Sequence, residues 1–371
     1  MKPTALVDEF ERYSAWRDTV YVRIEALRDW LDTQQLSDAE SGMRLGQLLG
    51  RLQEDTLNVA FVAEFSRGKS ELINAIFFSD YRQRVLPSSA GRTTMCPTEL
   101  YYTPTLRPSL RLLPIDTKAR AGGIGDFKRD AAAWTEFPLN LDSADDMSAT
   151  LMRLADTVDV DAATAEAYGL LNPLDEEAAR NLARDGSIAI PRWRHALINF
   201  PHPLLKQGLV ILDTPGLNAI GTEPELTLNL LPNAHAVLFL LAADTGVTKS
   251  DIEIWRQHIA PIHAASRARL VVLNKIDGLW DELRTPSEID AEIAKQVASS
   301  AALLDLPASQ VYPVSAHKAL VAKVRGDAAL LAKSRLPDLE AALTQELLPC
   351  KQALVSESAQ AVVEDVVIKA T

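Results

Sequence analysis

From Phe10 onward apolar residues recur every three or four positions, at Phe10, Tyr13, Trp16, Val20, Ile24, Leu27 and Leu31. That is the period of a helix with one buried stripe. Ser37-Asp-Ala-Glu40 then reads as a capping box, with Met43, Leu45, Leu48, Leu49 and Leu52 forming the next apolar face. Residues 1–56 are therefore predicted to be two helices. Beyond them the pattern changes to short β-rich runs separated by helical stretches: Asn58–Val62, Glu99–Thr103, Ser109–Leu113, Ala196–Phe200, Leu209–Leu212, Ala236–Ala242, Arg269–Asn274 and Val311–Val314. Such alternation predicts an α/β domain over residues 57–330, its mainly parallel sheet wrapped by helices. Residues 114–192 read as an insertion with helical pieces near Ser143–Thr157 and Asp175–Arg184. After Leu336-Pro337 a last stripe runs through Leu339, Leu343, Leu347, Cys350 and Leu354, in a helix over 331–371 that Pro349 should kink. The first and last stripes each need a partner. The simplest packing joins them as a helical neck beside the α/β domain, with Leu27 and Leu343 buried.

The chemistry sits at the strand ends. Asn58–Val62 leads into Ala63-Glu64-Phe65-Ser66-Arg67-Gly68-Lys69-Ser70 and then the helical ELINAIFF, the strand, loop and helix that a phosphate-binding P-loop requires. Backbone N–H groups of that loop would cradle the β-phosphate, Lys69 would span the β/γ-phosphates and Ser70 would ligate Mg²⁺. Ala63 stands where the motif usually has Gly. Leu209–Leu212 ends in Asp213-Thr-Pro-Gly216, which puts a carboxylate beside the Mg²⁺ water shell and the Gly216 N–H toward the γ-phosphate. Asn274-Lys275-Ile276-Asp277 selects the base. Asp277 can accept from both N1–H and N2–H₂ of guanine, Asn274 ties the base loop down, and the Lys275 stem covers a ring face. After the last strand, Ser315-Ala316-His317-Lys318 would bring the Ala316 N–H to guanine O6. The nucleotide expected is GTP or GDP. Between P-loop and DTPG, a small polar loop over residues 86–98 supplies the switch threonine, read as Thr94 because it lies three positions before Pro97.

Charge and cysteine content narrow the partners. The 371 residues hold 38 Lys+Arg against 50 Asp+Glu, a net charge of −12, so nucleic acid is not expected as a partner. The cluster Arg192-Trp-Arg-His195 reads as a solvated sheet edge. Two cysteines, Cys96 and Cys350, match neither a disulfide framework nor a metal spacing, and with no signal-like start the chain is expected in the cytoplasm. No metal beyond Mg²⁺ is expected.

Taken together, GKS-ELINA, the LP…TTxCPT stretch, LDTPGLN and LNKID resemble the bacterial dynamin-like GTPases of the dynamin superfamily over roughly residues 55–320. The resemblance implies a G domain on a helical neck, homodimerisation across G domains, self-stimulated GTP hydrolysis and membrane remodelling. It further implies a peripheral contact at the inner membrane face through regions absent from this chain. By motif position it gives Ser66 a charge-compensating monovalent cation, K⁺ or Na⁺. Two positions depart from the pattern: Phe65 replaces the Gln of dynamins proper, and Leu217 stands where Ras-like switches place theirs. Arg67 is either a cation for the transition state, in cis or toward a partner G domain, or one half of a surface ion pair. A slow regulatory GTP switch that recruits a protein partner is the alternative function.

Overall fold

The computed structural model of the chain describes all residues except 1–3, 35, 37, 54–55, 65, 88–95, 121, 172–185, 215–230, 232–233, 262–267 and 371. Phe65, Thr94, Gly216, Leu217 and the helix expected at Asp175–Arg184 thus lie outside the described residues.

Eleven strands are present among the described residues, nine of them in one sheet. Five lie side by side in parallel: β11 (Val311–Pro313), β10 (Ala268–Asn274), β9 (Ala236–Ala242), β1 (Leu57–Ala63) and β8 (Leu209–Asp213). β2 (Thr98–Tyr101) then pairs antiparallel with β8 and parallel with β7 (Trp193–Asn199). β3 (Ser109–Pro114) and β4 (Thr135–Pro138) close that edge in antiparallel pairing. Every residue of β8 and β9 is buried, and only Asn58 of β1 is partly exposed. Strands covered on both faces have no polar side to present, so their sequences are near-continuous apolar runs. Val59, Phe61 and Ile211 face one core, while Ala60, Val62, Val210 and Phe239 face the other. In register, Phe61 stands opposite Asp213 and Ala63 opposite Leu240, so the loops after β1, β8 and β9 leave the sheet at one edge. That edge is where open α/β sheets bind ligands.

The insertion is more β-rich than its pattern suggests. Ser143 caps the helix Ala144–Leu151 by accepting from Asp146 N, but Thr157 begins a strand instead of ending a helix. β5 (Thr157–Asp161) and β6 (Ser187–Pro191) form an antiparallel pair of their own, over a small core that includes Ile115, Ala165 and Ile188. Thr157, Val158 and Val160 are β-branched, and cross-strand pairing with Ile188 and Ile190 decides their conformation.

The neck contains α1 (Thr4–Thr33), α2 (Ala39–Gln53) and the terminal helix (Leu336–Ala370), a single helix through Pro349. Its apolar seam joins Ile24, Leu31, Leu45, Leu48, Leu49 and Leu52 to Ala359 and Val366, with Leu27 half-buried beside them. An ion pair of 2.6 Å between Arg44 and Asp365 flanks it. The pairing differs from the one the sequence suggests. Leu339 and Leu343 are buried as expected, but in the core beneath the sheet with Tyr13, because the terminal helix starts against the α/β domain and meets α1 and α2 further along. Its seam residues are thus those after Leu354. No helix among the described residues is long and apolar enough to cross a membrane.

Candidate nucleotide-binding site

The P-loop leaves β1 at Ala63 and enters the helix at Lys69–Ile73, which continues as a π-helical turn over Asn74–Phe78. Ser66 and Gly68 both take left-handed backbone conformations, at φ 64° and 88°. Gly68 must be glycine for a further reason: a Cβ there would lie 2.3 Å from Asn274 Nδ2. That close approach is productive, since Asn274 Nδ2 donates to Arg67 O at 2.9 Å, and Asn274 Oδ1 accepts from Ala316 N at 3.0 Å. One buried side chain therefore binds the P-loop to the loop after β11, across more than 200 residues of sequence. The Ala316 N–H expected on guanine O6 is engaged by Asn274 here, so contact with O6 would require that donor to be shared.

Asp277 stands beside this frame. Ser315 Oγ, fully buried, donates to Asp277 Oδ1 at 2.7 Å and accepts from Lys318 N at 3.1 Å, which fixes the carboxylate's orientation. Lys275, at φ 62°, pairs with Asp244 at 2.9 Å. At the opposite end, Lys69 and Asp213 are both buried and lie 2.9 Å apart, with no other described group bonding Lys69 Nζ or Asp213 Oδ1. Burial pushes the Asp213 carboxyl above the usual carboxylate range, and the Lys69 ammonium opposes this only in part. A buried cation and anion left with only each other are short of partners. Phosphate would satisfy the first and a hard cation, together with the Ser70 hydroxyl, the second. The donor set thus fits Mg²⁺. Thr214, fully buried, holds the start of the next loop by donating from Oγ1 to Phe61 O at 3.0 Å.

Arg67 makes an ion pair, but with a buried acid, Asp251, and a half-buried one, Glu64. Its Nη2 lies 2.6 Å from Glu64 Oε2 and 2.8 Å from Asp251 Oδ2, and Thr248 Oγ1 is 3.4 Å away. The loop is thereby clamped to the helix after β9, Lys249–Ile254.

Asn74, Glu71 and Arg84, and the role of His317 within its motif, escaped sequence reasoning. Asn74, fully buried, accepts from Val85 N and Leu86 N and donates to Leu86 O, pinning the backbone just before residues 88–95. Arg84 reaches Glu71 with two nitrogens, and His317 Nδ1 lies 3.0 Å from the same carboxylate. Against the effect of burial, Arg84 and His317 hold the Glu71 carboxyl below its usual range. A lone Asn inside the apolar run ELINAIFF was the available signal for Asn74; nothing local marked the others.

A family model described as the dynamin family matches residues 59–276. The chain belongs to the dynamin family. It is 20% identical over 303 residues to the bacterial dynamin-like protein of Nostoc punctiforme, an alignment that covers 79% of this chain and 36% of that protein. Among solved structures, an oligomerised bacterial dynamin pair, described as a mechanism for long-range sensing and tethering of membranes, superposes with a TM-score of 0.56 at 16% identity. It covers 98% of this chain and 46% of its own. LeoA, a bacterial dynamin GTPase from ETEC, gives a TM-score of 0.50 at 15% identity, covering 97% and 49%. This dynamin-family chain thus shares their fold and spans about a third to a half of their length.

Proposed function

We propose that this chain binds GTP and hydrolyses it to GDP and phosphate, with hydrolysis stimulated when two G domains meet in a homodimer. The observation that carries the reading is the frame set by Asn274, which holds phosphate loop and base loop together through bonds of 2.9 and 3.0 Å. On that frame Asp277, oriented by Ser315, accepts both donors on the guanine edge. Lys69 exchanges Asp213 for the β/γ-phosphates, while the N–H groups from Ala63 to Ser70 surround the β-phosphate. Ser70 and Asp213, joined by Thr94, are the residues that would hold Mg²⁺, whose charge neutralises the phosphate oxygens. Gly216 meets the third phosphate. Ser66, held at φ 64°, is the position at which a monovalent cation, K⁺ or Na⁺, compensates charge. Since neither Phe65 nor Leu217 can orient water, the isolated G domain should turn over slowly. The tethering described for the oligomerised dynamin pair supports a membrane-remodelling role, with the chain in the cytoplasm and peripheral contact at the inner membrane face.

One observation favours the second reading, a slow regulatory switch: Arg67, the P-loop cation other than Lys69, is already neutralised by Glu64 and Asp251. A steady-state GTPase assay over a wide protein range in K⁺, Na⁺ and a bulky organic cation separates the two. The dynamin-type reading expects a rate per molecule that rises with concentration and needs the small cation. A flat, cation-independent rate selects the switch, and equal affinity for ATP and GTP removes the base assignment.

A further inference from the structure

A cavity of about 320 Å³ lies between the sheet and the start of the terminal helix, in the core that holds Phe61, Ile211 and Leu343. Its walls are apolar: Phe61 of β1, Ile211 of β8, Ile76 and Phe77 from the helix behind Lys69, and Leu343 from the neck. Besides Ser79 and three acids, two nitrogen donors line it, His202 and Lys323. His202 Nδ1 accepts from Leu204 N at 3.3 Å, so the neutral ring carries its proton on Nε2, a donor without a partner among the described residues. Lys323 donates to Ala75 O and Glu340 Oε1, at 2.8 and 2.9 Å, which leaves one of its three N–H groups. Of the acids on the lining, Glu340 is neutralised by Lys323, Asp327 caps Leu330 N, and Asp80 is exposed at the rim.

We infer that this cavity binds a small single-chain carboxylate, its tail among the apolar walls and its head accepting from His202 Nε2–H and Lys323. The size follows from packing. A cavity of roughly 150 Å³ takes up a six-atom aromatic ring, so 320 Å³ suits about twelve non-hydrogen atoms. Its composition, mostly apolar with a few convergent donors, is that of small-molecule sites, which start at about 300 Å³. The head group follows from the donors. Burial, then the charges of Lys323 and Lys206, push the His202 imidazole down to about 4. The ring is therefore a neutral N–H donor at pH 7, and with the third N–H of Lys323 it suits an acceptor head such as a carboxylate. An occupant would sit between the strands that lead to Lys69 and Asp213 and the first turns of the neck.

Decanoate, below its micellar concentration, is the probe. Wild-type protein should show a saturable rise in melting temperature with decanoate and a smaller one with decanol, which keeps the tail but not the charge. His202→Asn preserves an acceptor for Leu204 N and removes the donor; Leu343→Trp fills the space. Each should abolish at least half of the decanoate shift while leaving the protein's circular dichroism unchanged. Because either variant is exposed to misfolding, a diazirine-bearing decanoate is also photolysed on wild-type protein and the adducts mapped. Labelling at Phe77, Ile211 or Leu343 supports the site. Absence of a saturable shift, an equal shift with decanol, an undiminished shift in the folded variants, or adducts only elsewhere overturns it.

Discussion

Arg67 shows how one residue type admits opposite readings until its neighbours are known. A cation in a P-loop suits the developing charge of phosphoryl transfer. Here its guanidinium is 5% exposed and Asp251, 2.8 Å away, is fully buried. Removing one member of a buried pair leaves an uncompensated charge and typically costs about 3–5 kcal/mol. Arg67→Ala is therefore expected to lower the urea midpoint sharply, and adding Asp251→Ala should recover part of that loss. A variant that kept full stability and lost only stimulated turnover would instead assign Arg67 to the chemistry. At this scale pH acts through Glu99. Burial alone would raise its carboxyl, but His195 at 3.0 Å and Lys128 hold it at about 2, against 4.5 unperturbed. An acid depressed by folding contributes stability above its unfolded pKa, lost as pH falls through the folded one. The excess should fade between about pH 5 and pH 2. Denaturant midpoints over that range should fall more steeply for wild type than for Glu99→Gln.

At the scale of elements, function depends on how loops are anchored. The helix after the P-loop carries Asn74 one turn beyond Ser70, where its amide serves three backbone groups of Val85 and Leu86. Those residues lead directly into 88–95, which holds Thr94, the proposed switch threonine. Leaving buried backbone groups unsatisfied costs about 1–3 kcal/mol. Asn74→Ala should thus destabilise the fold by that order and depress GTP turnover more than GDP affinity, since GDP makes no demand on the switch. Parallel stopped-flow GDP binding and phosphate-release assays test this. Losses equal in both would place Asn74 in general folding and not in the switch.

Over the whole molecule, two cores and a neck share one chain. Tyr13 and Trp16 of α1 pack under the sheet, whereas Ile24 and Leu31 of the same helix belong to the neck seam. Deleting residues 1–56 would therefore strip both regions at once and expose Ala359, Val366 and their neighbours to water. The truncated protein should aggregate in light scattering. A truncation that stayed monomeric with an unchanged melting temperature would contradict this packing. Val366→Asp, by contrast, touches only the seam, and should loosen the neck while GTP binding remains within about twofold of wild type, as expected for distant sites that do not couple.

The strands of the central sheet from β1 to β11, apart from β4, were legible in the sequence because their signal is local, as is that of the candidate nucleotide motifs; β4, β5 and β6 were not. An apolar run bounded by turns declares a buried strand, and Gly68-Lys69-Ser70 or Asn274-Lys275-Ile276-Asp277 carries its chemistry within a few residues. The α/β class, the two N-terminal helices and the terminal helix followed from period alone. Tertiary structure decided the contacts that join residues distant in sequence. Asn274 with Arg67, Glu71 with Arg84 and His317, and Arg67 with Asp251 leave no periodic trace, because nothing in a chain's local pattern says which buried charge or amide another will meet. The same holds for the neck: periodicity marked apolar stripes on both terminal helices. Only the position at which the terminal helix leaves the sheet determined that Leu343 joins the α/β core and Val366 the seam.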